Sequence, residues 1–553
     1  MNTKIKILFA LTCSIATFAP AIHAQWKGTA PSTQVEAGAD IAIVKTGAGT
    51  VQGSIHGSIY NFRGIPYAKA GRFEAPVQPD AWEGVRYALS YGNICPQVVG
   101  TEIREPQAFT SNQRYWPQSE NCLNLNVWTP APDQNKRPVM VWFHGGGFTN
   151  GSSIELPAYD GSNLSGLGDV VVVTVNHRLN ILGFLDLSAY GSDYASSGNV
   201  GLADLVASLE WVRDNIAAFG GDPDNVTIFG QSGGGAKVSS LLGAPSARGL
   251  FDKAIVMSGA MGPARRPNGS NLSQRVAELV FNETGIKPGD IAALQALPYE
   301  QLEAAGAKAL AQVSREVTGA PAGGPLGFPV INWGPVADGQ FLPEMPFADG
   351  APAISATVPL MVGSTLSEFQ RINPRIKGHE AWSEKQLRNY LAPTYADNVD
   401  ALLAAFRKAY PALPLSEVVT IDSGARAGAL GMAAAKAAQP APVYNYLFAY
   451  RAPVLDYSWA AGHTTDVPFI FNNAEAGIRS SGGGPVVDQL TNVMALAWIN
   501  FARSGNPNHQ GMSEWPPFTT NQPTTMVFDV EPRARVGHDA ELIKLLAAPA
   551  PRR

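Results

Sequence analysis

The arrangement in this chain best suited to nucleophilic chemistry is a serine set among glycines at the end of a β-branched apolar run. Val226-Thr-Ile-Phe-Gly-Gln-Ser-Gly-Gly-Gly235 reads as a buried strand that turns sharply and enters a helix near Ala236. In so tight a turn, side chains two residues before and after the serine would collide, which requires Gly230 and Gly234. Ser232 is then held exposed at the strand's C-terminal end, near a helix N-terminus whose dipole favours developing negative charge. A lone Gly-x-Ser-x-Gly is common by chance. The strand before this one and the helix after it give it meaning.

A hydroxyl that attacks a carbonyl also needs donors for the oxyanion it creates. The strand Pro138–Phe143 ends in His144-Gly145-Gly146-Gly147-Phe148, a glycine-rich loop of the kind that offers backbone N–H groups to such an oxygen. Glycine lets a substrate approach the main chain without meeting a Cβ. Losing one donor of such a hole costs on the order of 10²–10³ in rate, so this loop is a major catalytic element. His144 precedes Ser232 in the chain and reads as support for the loop.

The elements that must position these pieces alternate between two kinds. Pro138–Phe143, Asp169–Val175, Val226–Phe229, Lys253–Met257 and Val358–Val362 are short, β-branched and apolar on both faces, as strands between two helix layers are. Between them lie helical stretches such as Leu202–Phe219, with Leu205, Leu209, Val212 and Ile216 on one face. The alternation predicts an α/β fold with a large, mostly parallel central sheet and helices on both faces. Segments around Ile41–Val44 and Gly57–Phe62 read as hairpin strands at one edge. The Ala/Gly/Pro-rich stretch Ala304–Pro329 and the segment Tyr410–Pro414 read as loop excursions. No repeat or linker divides the chain, so residues 25–546 are expected to form one catalytic domain, with a disordered tail over 547–553.

Composition narrows the ligand. Of 553 residues, 40 are basic and 45 acidic, and no basic block stands out, which argues against nucleic acid as a partner. Lys4 and Lys6 precede an apolar run from Ile7 to about Ile22, and Ala24 ends a cleavage site before Gln25, so residues 1–24 read as an export signal. A membrane anchor is the competing reading, but the run is short for a spanning helix. Removing the signal takes Cys13 with it and leaves Cys95 and Cys122. In an oxidising compartment this even pair reads as a disulfide, with two buried free thiols as the alternative. No His or Cys cluster has metal-ligand spacing, and no metal or cofactor is expected.

The chain resembles the type-B carboxylesterase family, the group within the α/β-hydrolases that also contains the cholinesterases. The resemblance rests on Phe219-Gly-Gly-Asp-Pro-Asp-Asn-Val-Thr-Ile-Phe-Gly-Gln-Ser-Gly-Gly234 and on Glu120-Asn-Cys-Leu-Asn-Leu-Asn-Val-Trp-Thr-Pro130, in which Asn121 and Asn124 depart from the usual choices. It extends to Phe62-Arg-Gly-Ile-Pro-Tyr-Ala68, Asn176-His-Arg-Leu179 and Asn500-Phe-Ala-Arg-Ser-Gly-Asn-Pro507, and so covers about residues 40–530.

The resemblance implies that an acid and then a histidine follow the serine. Glu368, in Gly363-Ser-Thr-Leu-Ser-Glu-Phe369, takes the acid position by register, although Thr365, Ser367 and Phe369 replace the family's Asn, Asp and Gly. His463, in Ala461-Gly-His-Thr-Thr-Asp-Val-Pro-Phe-Ile-Phe471, takes the place of the base. His379, His509 and His538 read as surface residues, and Asp466 as structural. The implied activity is hydrolysis of carboxylic esters through an acyl-enzyme, with oxyanion donors at Gly146, Gly147 and Gly233. The resemblance also matches Cys95 and Cys122 to the family's N-terminal disulfide. Phe109, Tyr115, Trp116, Trp333, Phe369 and Trp459 fall in segments that flank the family's gorge, with core packing as the alternative for each. The expected partners are a small-molecule ester and water, with no integral membrane association, in the periplasm or outside the cell. A lipase acting at a lipid interface and a non-catalytic binding module on the same fold remain the rival readings; the natural ester and the oligomeric state stay open.

Overall fold

Successive residues of the central strands face opposite sides of one sheet, and both sides are buried. Val139, Val141 and Phe143 enter one hydrophobic core together with Val171, Val173, Ile228 and Val256. Their neighbours Met140 and Trp142 enter a second core with Val172, Phe229 and Ile255. Period-two alternation between two apolar layers explains why these strands carry continuous apolar runs. The computed structural model describes residues 34–98, 109–110, 113–260, 270–319 and 331–548. The expected signal segment lies outside these residues, as does the tail beyond Ala548.

Among the described residues twelve strands form the main sheet: β1 (Val35–Glu36), β2 (Ser54–His56), β3 (Ile59–Pro66), β4 (Asn124–Thr129), β5 (Arg137–Phe143), β6 (Val171–Val175), β7 (Gly221–Gln231), β8 (Lys253–Met257), β9 (Leu360–Thr365), β10 (Val443–Phe448), β11 (Thr524–Phe528) and β12 (Arg533–Val536). Their spatial order is β1-β2-β3-β4-β6-β5-β7-β8-β9-β10-β11-β12. From β6 to β11 every pairing is parallel. The pairs at either edge are antiparallel. The hairpin expected near Gly57–Phe62 is β2–β3, whereas Ile43–Lys45 belongs to a separate three-stranded sheet with Thr50–Gln52 and Val85–Tyr87.

Helices cover both faces. Val200–Asn215 contributes Leu202, Leu205, Leu209 and Val212 to the first core, and Pro485–Ser504 contributes Leu490, Met494, Trp498 and Phe501 to the second. One expectation is corrected here: the stretch from Ala304 does not begin a loop excursion, because Tyr299–Thr318 is a helix that buries Leu302, Ala305, Ala309 and Val313. Small alanines at helical spacing bury as well as larger side chains do where the neighbouring surface comes close. No described helix is long and apolar enough to cross a membrane.

Candidate active site

In a parallel sheet the strand ends that share an edge also share their loops. The pairings Phe143↔Gly230 and Met257↔Gly363 put the C-terminal ends of β5, β7, β8 and β9 in line. His144 follows β5, Ser232 follows β7 and Glu368 follows β9, so residues far apart in sequence emerge side by side.

Ser232 sits at φ 59°, ψ −123°, an unusual conformation for a residue with a side chain. Its N–H donates to the Met257 carbonyl at 2.8 Å, and its own carbonyl accepts from Ala236 at 3.0 Å as the helix Gly233–Leu241 begins. The glycines around it have no room for a side chain. A Cβ on Gly230 would lie 2.5 Å from the Gly234 carbonyl carbon, and one on Gly234 would lie 1.9 Å from the Phe143 oxygen. A Cβ on Gly233 would meet the Gly147 oxygen at 2.1 Å, so the glycine loop after β5 rests directly on the serine turn.

In that loop Gly146 and Gly147 adopt φ 79° and 64°, which glycine tolerates without strain. A Cβ on Gly147 would have open space, the nearest atom outside its chain neighbours being Thr149 N at 4.0 Å. His144 is fully buried, its ring stacked on His177 at 5.0 Å. Burial, reinforced by the Lys237 charge, holds its pKa well below the usual value.

Glu368 and His463 meet directly. Glu368 Oε2 faces His463 Nδ1, while Oε1 accepts the Thr365 N–H at 2.9 Å. Both residues are buried, at 2% and 8% exposure. An imidazole whose Nδ1–H is held by a carboxylate presents Nε2 as the free base. The Gln231 amide nitrogen lies 3.4 and 3.3 Å from the two ring nitrogens, so the residue preceding Ser232 touches the imidazole. Phe369 lies over the same ring, tilted by 35° with centroids 4.1 Å apart.

The loop carrying His463 is fixed from three points. Ser367 donates its N–H to the Ala461 carbonyl at 3.0 Å, and the His463 N–H donates to the Glu368 carbonyl at 3.0 Å. Arg371 Nε donates to the Ala460 carbonyl at 3.1 Å and pairs through its other nitrogen with Glu417, which also receives Arg451 at 2.9 Å. Burial alone would raise the Glu417 pKa, but the His379 ring facing it and the Arg371 and Arg451 charges outweigh it and hold it near 2. Asp466 lies close enough to the His463–Glu368 pair to feel its charge, but its hydrogen bond comes from the Tyr446 hydroxyl, at 3.1 Å. Burial, with the Glu368 charge adding to it, pushes the Asp466 pKa up to about 7.

The aromatics expected near the site divide. Phe369 touches His463, and Trp459 lines a cavity of about 220 Å³ with Leu156, Thr464 and Arg479. Phe109 lies at the surface under Arg479, Trp116 packs edge-on against Tyr91, and Tyr115 is exposed. Trp333 is buried in the first core, next to Gly306 of the helix Tyr299–Thr318. Neither the Trp459-lined cavity nor a larger one of about 430 Å³, between Tyr410, Arg451 and His538, is lined by Ser232, Glu368 or His463. His379 is a further correction: it is 3% exposed and reaches Glu417, because its charged neighbours include the arginines of a buried cluster. His538 is half-buried against Tyr410. Sequence reasoning did not single out Gln231, Thr365, Arg371 or Glu417 as parts of the site. Gln231 was within the signature itself, and its position before the serine was the available signal.

Cys95 and Cys122 form a disulfide across 27 residues. Next to it, Gln97 accepts the Gly151 N–H at 2.8 Å and donates to the Gly151 carbonyl at 3.0 Å, bracing the far end of the glycine loop.

Comparison with known proteins agrees with this architecture. The profile of the carboxylesterase family matches residues 40–543. The para-nitrobenzyl esterase of Bacillus subtilis is 35% identical over 500 residues, which cover 88% of this chain and 95% of the relative. Among solved structures, a Clostridium hathewayi esterase described as hydrolysing aliphatic aromatic polyesters is 40% identical with a TM-score of 0.82, covering 93% of this chain and 99% of its own. A Geobacillus stearothermophilus carboxylesterase is 33% identical with a TM-score of 0.69, covering 91% and 100%. The chain therefore belongs to the carboxylesterase family, has the α/β-hydrolase fold, and is a carboxylic ester hydrolase.

Proposed function

We propose that the protein is an exported serine carboxylesterase in which Ser232 is the nucleophile, His463 the general base and Glu368 the acid that orients it. The observation that carries this reading is the contact between Glu368 Oε2 and His463 Nδ1, on an imidazole that also touches the neighbour of Ser232. A serine hydroxyl is a weak nucleophile until a base takes its proton as it attacks. His463 Nε2 accepts that proton, and Glu368 stabilises the imidazolium without being protonated itself. The amides of Gly146, Gly147 and Gly233 hold the oxyanion of the tetrahedral intermediate. His463 then protonates the departing alcohol, leaving the acyl-serine. Water, deprotonated by the same imidazole, attacks the acyl carbonyl and releases the acid and the free serine.

The aromatic ring of Phe369 on His463 favours esters with an aromatic or apolar group. Relatives named for para-nitrobenzyl esters and for aliphatic aromatic polyesters point the same way. The basic residues Lys4 and Lys6 before an apolar run, and the Cys95–Cys122 bridge, support export into an oxidising compartment. Rates for a p-nitrophenyl ester series of increasing acyl length, with wild type and Ser232→Ala, test the assignment. Hydrolysis of short and aryl esters by the wild type alone is expected. Preference for long chains with activation at an interface would make the protein a lipase, and equal rates in the two proteins would remove Ser232.

A further inference from the structure

We propose that Lys237 is a positioning residue for the oxyanion loop, holding both ends of the glycine run from which the Gly146 and Gly147 amides project. Lys237 lies five residues after Ser232 on the helix Gly233–Leu241 and is fully buried. Its Nζ donates to the His144 carbonyl at 2.9 Å, at the entry to the run. The same nitrogen stands 5.9 Å from the centre of the Phe148 ring, at the exit. Between these two contacts lie three successive glycines, the residues whose backbones are least restrained by themselves. One side chain therefore ties the ends of the flexible loop to the helix that carries the nucleophile.

The site around Lys237 is built to receive it. Glu155 is the acid whose charge acts on it, and Glu155 accepts the Tyr159 hydroxyl at 3.1 Å. Burial, with the Glu155 charge adding to it, holds the Tyr159 hydroxyl well above its usual pKa, so it stays protonated and donates to Glu155. The His144–Gly145 peptide is thus held at its carbonyl by Lys237, whose charge faces the Glu155–Tyr159 pair. His144 and His177 also face this cluster; each uses Nδ1 on a backbone carbonyl, leaving a buried Nε2 without a hydrogen-bond partner among the described residues. Burial pushes Lys237 down to about 7 against the pull of Glu155, and burial pushes Glu155 up to about 7 against Tyr159 and Lys237. As ammonium or as amine, Nζ keeps an N–H for the His144 carbonyl.

The mechanism above does not use Lys237, and an ammonium removed from water is costly unless it is held. Its role is to keep the loop amides aimed at the transition-state oxygen, where a small misplacement is expensive.

This inference rests on reading Gly146 and Gly147 as oxyanion donors, and the experiment separates the two. Wild type, Lys237→Met and Lys237→Arg are assayed on a p-nitrophenyl ester and titrated with an aryl trifluoromethyl ketone, which adds the serine oxygen to its carbonyl and places the resulting oxyanion in the hole. Lys237→Met, with an unchanged circular dichroism spectrum, should lose about tenfold or more in kcat while KM stays within about twofold. Its ketone inhibition constant should rise by the factor by which kcat/KM falls, and Lys237→Arg should recover part of both losses. If Lys237→Met does not fold, Lys237→Gln, which also removes the charge and shortens the reach, is read the same way. Wild-type kcat and ketone affinity in the uncharged variant, or a change in KM alone, would overturn the inference. Failure of the wild type itself to bind the ketone would instead remove the oxyanion reading beneath it.

Discussion

Glu368 and His463 are joined twice, through Oε2 and Nδ1 of their side chains and through the main chain, where the His463 N–H donates to the Glu368 carbonyl at 3.0 Å. The second bond fixes the backbone of the histidine loop independently of the carboxylate. Removing the carboxylate's charge therefore changes the imidazole's tautomer and electrostatics more than its position.

Glu368→Gln should keep the fold and lose most of kcat, by up to about 10⁴-fold, since an amide can support the wrong tautomer of the ring. Thermal unfolding and kcat of the purified variant check both halves. A kcat within threefold of wild type would take Glu368 out of the triad.

Gly234→Ala should abolish activity and lower thermal stability, because its Cβ would fall 1.9 Å from the Phe143 oxygen at the end of β5. By contrast, Gly249→Ala places a Cβ in open space at φ 76° and should cost only the strain of that conformation, about 1 kcal/mol. Melting curves and esterase rates of the two variants compare a steric requirement with a conformational one.

Glu417→Gln should destabilise the protein near neutral pH by roughly 3 kcal/mol, because it leaves the buried Arg371 guanidinium and the partly buried Arg451 without their counter-charge. The folded pKa of Glu417 near 2 lies below its unfolded value, so the stability it contributes is present above about pH 4.5 and is lost as pH falls toward 2. The difference in unfolding free energy between wild type and variant should shrink across that window. The variant should also lose kcat, since Arg371 holds the Ala460 carbonyl beside His463.

Replacing Cys95 and Cys122 with serine opens a loop of 27 residues. The chain-entropy account gives a loss of about 3–4 kcal/mol. Equal melting temperatures with and without reductant in the wild type would contradict it.

The central strands were legible because burial on both faces leaves an uninterrupted apolar run, and Lys253–Met257 forms its strand with the same boundaries as its run. The helix Tyr299–Thr318 was not, because its many alanines and the Gly- and Pro-rich residues that follow it suggest a loop by composition, although its apolar residues recur at helical spacing. The serine turn could be read directly because its chemistry is local. Glu368 and His463 lie 95 residues apart, and only the resemblance paired them. His379 misled because charged neighbours suggest exposure, whereas its segment folds onto the buried Arg371–Glu417 pair. Trp333 and Trp116 show the limit for aromatics: the same ring type serves a core or a surface edge, and sequence alone does not distinguish them from a lining residue.

The central claim, that Ser232 is the nucleophile that becomes acylated, is tested most directly by intact-mass and peptide analysis after reaction with a fluorophosphonate. The account predicts one adduct per chain, located on Ser232, with loss of esterase activity in proportion to labelling and no adduct in Ser232→Ala. Labelling of another residue with the same loss of activity, or full hydrolysis by Ser232→Ala, would contradict it.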